Sequence, residues 1–151
     1  MSNQEQLQIF RRSTRLERDG TSAGLQGYIP TPRGLELLCQ LLDALASSDY
    51  KAFSLTGPYG SGKSSFAVFL SALFEPKCSD AHRAAMALLE AESSPLAHSL
   101  RVMRERLEVA EDGFVVIKVT ARRAPLLSIL REALVSSLDP VSYTHLTLPT
   151  I

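Results

Sequence analysis

The chain of 151 residues carries no net charge, since sixteen Lys and Arg residues balance sixteen Asp and Glu. No global field therefore draws it to nucleic acid or to an anionic membrane surface. It has two cysteines, Cys39 and Cys78, too far apart in sequence for any zinc-binding spacing. Both are expected to be buried free thiols of a reducing compartment, Cys39 because it lies in an apolar helical run. No apolar run is long enough to span a bilayer, and polar residues from Met1 to Arg12 leave no room for a signal peptide. The expected location is cytoplasmic. There is no internal repeat.

The stretch 141–151 lacks Lys, Arg, Asp and Glu altogether, and its threonines follow neither a helical nor a strand period. It reads Val-Ser-Tyr-Thr-His-Leu-Thr-Leu-Pro-Thr-Ile. The first ten residues are the translation of GTC TCT TAT ACA CAT CTG ACG CTG CCG ACG, one frame through the transposon end and adapter of sequencing libraries. Residues 141–151 are accordingly expected to be adapter-derived artefact, and the natural chain to continue past about Asp139.

What is present divides at Tyr28. Residues 1–27 form a polar leader with Arg11, Arg12, Arg15 and Arg18 clustered and Gly20, Gly24 and Gly27 breaking regular structure. A solvated basic face or a surface for a partner fits that composition. From there to residue 140 the pattern is that of one domain. Thr31 can cap a helix whose first turn tolerates Pro32, and Leu35, Leu38, Leu42 and Leu45 recur at helical spacing. Tyr50–Thr56 and Phe114–Thr120 read as buried strands from their length and β-branched or aromatic content. Helices are expected from Lys63 to Pro76, over 81–92, from Pro95 to about Val109, and over 126–138. Arg101, Arg104 and Arg106 are expected to face outward. Asp112-Gly113 reads as a turn. This alternation predicts an α/β fold with a parallel sheet.

The motif that carries chemistry is Gly57-Pro58-Tyr59-Gly60-Ser61-Gly62-Lys63-Ser64, the pattern G-x-x-x-x-G-K-[ST]. Glycines 57, 60 and 62 let the backbone curl so that N–H groups converge on phosphate oxygens. The helix that follows presents its positive end to the same anion. Lys63 would place its charge on the β- and γ-phosphates, Ser64 its hydroxyl on Mg²⁺, and Ser65 would reach the α-phosphate. Pro58, Tyr59 and Ser61 occupy the variable positions; Tyr59 either stacks on a ligand above the loop or is an exposed tip residue.

At these residues the chain resembles the P-loop NTPase superfamily. The narrower resemblance is to its additional-strand ATPases, the AAA+ and STAND-like domains of large bacterial ATP-binding proteins, including those of phage-defence clusters. Two features carry it: the segment Tyr28-Ile29-Pro30-Thr31-Pro32 with a helix before the motif, and Phe66-Ala67-Val68-Phe69-Leu70 after it. The resemblance implies a three-layer sandwich truncated to its N-terminal part, Mg-ATP as ligand with Mg²⁺ as cofactor, and Lys63 as the catalytic residue. It makes Tyr28 and Ile29 candidates for the adenine pocket; a hydrophobic staple at the start of the helix explains them equally well.

An ATPase of that class needs an apolar strand ending in Asp-Glu, the Walker B carboxylate, whereas the 114–120 run ends in Thr-Ala. Glu111 and Asp112 stand at its other end. The expected function is ATP binding in a larger ATPase that couples hydrolysis to conformational change, with protein partners or self-association through the part beyond 140. A nucleotide or small-molecule kinase and a non-hydrolysing switch are the alternatives. Arg122 and Arg123 follow the 114–120 run, as a solvated pair or a phosphate contact. His82 and His98 lack a metal-ligand spacing and are expected to be structural or surface residues.

Overall fold

The computed structural model describes residues 22–47, 52–119 and 123–137. The leader through residue 21 and the whole of 141–151 lie outside the described residues, as do Tyr50 and Arg122. A short 3₁₀ turn, Ser22–Leu25, is followed by five α-helices: α1 Pro32–Ser47, α2 Lys63–Phe74, α3 Asp80–Glu92, α4 Ser94–Arg106 and α5 Leu126–Ser137. The chain forms two compact units, Met1–Phe114 and Val115–Ile151, with α5 in the second.

Each helix starts and stops where local chemistry dictates. Thr31 caps α1, its Oγ1 accepting from Gly34 N at 3.1 Å. Ser79 caps α3 by accepting from Ala81 N at 3.2 Å, and Asp80 adds a negative charge to that first turn. Ser93 closes α3 and opens α4 together: its N–H donates to Leu89 O at 2.7 Å, and its carbonyl accepts from Ala97 N at 3.1 Å. Pro95 in the first turn of α4 gives up no intrahelical bond.

The core of the first unit lies around α2, which buries Val68, Phe69, Ala72 and Leu73. α3 offers Ala81, Ala85 and Leu89, a stripe spaced by four residues whose small alanines let neighbouring helices come close. α4 adds Leu96, Ala97, Leu100 and Met103, and α1 adds Leu38 and Leu42. These side chains form one cluster with Leu25.

The sheet is where the sequence reading fails. Among the described residues 63% are helical and none is in a strand. That overturns the expected α/β parallel-sheet sandwich and conflicts with the resemblance to the P-loop NTPase superfamily and its AAA+ and STAND-like ATPases. Residues 52–58 have no regular secondary structure and are exposed, with Phe53 at 53% and Leu55 at 42%. In the second unit Val115 and Ile117 are likewise exposed. A helix closes its hydrogen bonds within itself, but an extended segment becomes a strand only beside a hydrogen-bonded neighbour. Neither run has such a neighbour among the described residues, so composition alone does not make them strands.

Two smaller expectations also fail. Cys39 and Cys78 are free but exposed; Cys39 lies beside the Leu38–Leu42 stripe of α1 rather than on it. Arg104 is buried rather than outward-facing, at 3% exposure.

Candidate functional site

The motif loop sits directly before α2. Gly60 and Gly62 adopt left-handed backbone conformations, φ 77° and 81°, which residues with a Cβ reach only with strain. Ser61 N donates to Pro58 O at 3.4 Å, closing a turn that carries Tyr59 at its tip, 98% exposed. Gly62 is the N-cap of α2 and no side chain caps that helix. Its carbonyl takes the first helical bond, from Phe66 N at 2.9 Å. The positive end of the α2 dipole thus opens at Lys63 with only backbone before it.

Lys63 folds back over the loop. Its Nζ donates to Gly57 O at 2.9 Å, to Pro58 O at 2.6 Å and to Ser61 Oγ at 3.3 Å. Three acceptors match the three hydrogens of an ammonium group. A Cβ at Gly57 would stand 3.2 Å from Ser61 Oγ, close enough that the hydroxyl would have to give by a few tenths of an ångström, and at ordinary contact distance, 3.8 Å, from Lys63 Cδ. Ser64 is exposed on the first turn of α2, and Ser65 beside it is half-buried. The structure therefore brings Gly57, Pro58, Ser61 and Lys63 together around one ammonium group, with Ser64 open to solvent.

Tyr28 stands in a different setting from Ile29. Its ring packs on Phe69 of α2 with centroids 5.0 Å apart, and burial pushes its phenol up to about 12. Ile29 is 66% exposed. The start of α1 also approaches the first turn of α2, because a Cβ on Gly34 would meet the Phe66 ring at 3.5 Å. Among the described residues no group of His, Cys, Asp and Glu could hold a metal ion. Of the remaining candidates, Arg123 and His98 are exposed.

A cleft of about 460 Å³ lies between α3 and α4, bordered by Lys77, Met86, Glu90, Arg101 and Glu111. Its polar floor went unnoticed in the sequence. Arg104 Nη1 donates to Leu73 O at 3.0 Å and Glu75 O at 3.1 Å, and Nη2 to Ala110 O at 3.2 Å. The guanidinium thereby satisfies carbonyls at the C-terminal end of α2, where a cation is favoured. His82 is 6% exposed, and its Nδ1 is buried without a hydrogen-bond partner. Burial, then the Arg104 charge, pull the imidazole below its ordinary range, against weaker opposing effects of the Ala72 and Leu73 carbonyls and of Glu75. A signal for Arg104 existed: it lies four residues after Leu100 and seven after Ala97, on the buried stripe of α4.

No protein-family profile matches the chain, and no curated protein or solved structure matches it. With no strand among the described residues, the structure conflicts with the expected P-loop ATPase, and no likeness to known proteins supports ATP binding. No described helix is long and apolar enough to cross a membrane.

Proposed function

We propose that residues 57–65 bind the triphosphate of Mg-ATP. The observation that carries this reading is the posture of Lys63, whose ammonium is gathered by the loop's own carbonyls directly before the N-terminus of α2. Those acceptors hold the cation beside the positive end of a helix without neutralising it. A triphosphate entering there would exchange neutral acceptors for charged ones, which form stronger hydrogen bonds to an ammonium group.

In this reading Gly57, Pro58, Tyr59, Gly60, Ser61 and Gly62 form the backbone cradle, Lys63 meets the β- and γ-phosphates, and Ser65 meets the α-phosphate. Ser64 is the chain's ligand to Mg²⁺, its hydroxyl standing exposed on the first helical turn. One hydroxyl suffices because Mg²⁺ keeps several waters and takes its other ligands from phosphate. Of the two candidates for the base, Tyr28 packs on Phe69 and Ile29 is exposed, so in this reading Ile29 is the side chain free to meet it. No reaction is assigned to the site.

The test is Mg-ATP binding to the full chain and to Lys63→Ala, followed by titration calorimetry. The variant should lose at least about tenfold in affinity, or about 1.4 kcal/mol. Equal affinity in the two proteins would overturn the proposal.

A further inference from the structure

His82 lies far along the chain from the motif loop and plays no part in nucleotide binding as proposed above. It sits on the buried face of α3, where α2, α4 and the Ser22–Leu25 turn pack. α2 holds no charged residue but Lys63, at its other end, and the Ser22–Leu25 turn holds none. The charged groups acting on His82 are therefore Arg104 of α4 and Glu75 of the link between α2 and α3. Glu75 already accepts from Ser79 Oγ at 2.6 Å. The other charges around the adjoining cleft are largely paired: Lys77 with Glu111, Arg101 with Glu90, and Arg83 with Asp80, while Glu105 is exposed.

We propose that His82 and Arg104 form an acid-operated release at the junction of α2, α3 and α4. A proton can be added to His82 only at Nδ1, if the other ring nitrogen keeps its hydrogen; Nδ1 is buried without a hydrogen-bond partner, and the Ala72 and Leu73 carbonyls offset the cost of the charge only in part. The product is a buried imidazolium beside a buried guanidinium. Two like charges in that setting repel and both lose hydration. The least costly escape is for α4 to move away, which withdraws Arg104 from Leu73 O, Glu75 O and Ala110 O together. The C-terminal end of α2 is then left without its cation, and the cleft widens.

The direction of the pH dependence follows from the sign of the shift. His82 is held below its ordinary value, so the unfolded or opened chain takes up the proton more readily than the closed one. Closure is fully favoured above the ordinary histidine value of about 6.5 and weakens as pH falls through the lower folded value. Arg104 stays charged throughout this range.

Amide hydrogen exchange on the full chain, corrected for the intrinsic pH dependence, tests the release at about pH 7.5 and about pH 5. The end of α2, α3 and α4 should lose protection several-fold at the lower pH, while α1 changes less. His82→Gln keeps an amide donor but cannot titrate, and should abolish that difference. The same loss in His82→Gln, or an equal loss in α1, would overturn the proposal. Should the variant fold poorly, imidazole C–H shifts of the unaltered protein decide: His82 must titrate below the ordinary histidine value of about 6.5, and an ordinary titration would overturn the proposal.

Discussion

At the scale of single residues, the positions that hold the first unit together are those where backbone meets backbone. Gly113 is the sharpest case. Its φ is 68°, and a Cβ there would fall 2.6 Å from Glu75 C, Glu75 O and Pro76 N. A substituted residue therefore faces both a strained conformation and a collision with main chain that has no rotamer to yield. Gly113→Ala should cost about 3 kcal/mol or more, read as a lower urea midpoint at unchanged slope. The neighbouring bonds Phe114 N to Phe74 O and Lys77 N to Glu111 O, both 2.8 Å, explain why the two loops lie so close. Arg104 belongs to the same seam. The sequence marked Gly113 as a turn residue but could not show that Glu75 and Pro76 lie against it, nor that three carbonyls converge on Arg104.

At the scale of elements, helices were legible and extended segments were not. The expected start of α1 at Thr31-Pro32, the stop of α2 before Pro76 and the break between α3 and α4 near Pro95 all rest on interactions within a few residues, and the structure has them. Ser79 illustrates how much such local chemistry is worth. Its hydroxyl accepts from Ala81 N and donates to Glu75 Oε2, joining the end of one helix to the start of the next. Ser79→Ala should destabilise the fold by about 1 kcal/mol, measured by thermal or urea unfolding; an effect below a few tenths would mean the cap is dispensable. The expected strands Tyr50–Thr56 and Phe114–Thr120 have strand-like composition, but strand formation needs a partner distant in sequence. Composition cannot say whether that partner is present.

At the scale of the whole molecule, the clearest measurable statement concerns secondary structure. Far-ultraviolet circular dichroism of the full chain should be dominated by the helical double minimum, as expected from 63% helix and no strand among the described residues. A substantial sheet signal would restore the α/β reading and displace the helical one. The motif loop illustrates the same division between local and global information. Its glycine conformations and the placement of Lys63 before α2 were readable from spacing, because a tight turn leading into a helix is set within a few residues. The polar floor of the α3–α4 cleft was not, since His82 and Arg104 come from different helices and meet only when those helices pack.

The sequence by itself determined the helices and their ends, the left-handed glycines of the 57–64 loop, the lack of net charge and of a bilayer-length apolar run. Each depends on neighbours along the chain or on composition. Tertiary structure decided what depends on distant partners: that no strand pairs among the described residues, that Tyr28 packs on Phe69, and that Arg104 is buried under α2's last carbonyls. Hydrogen bonds between segments and the desolvation of a charge arise only from packing, and no local pattern encodes them.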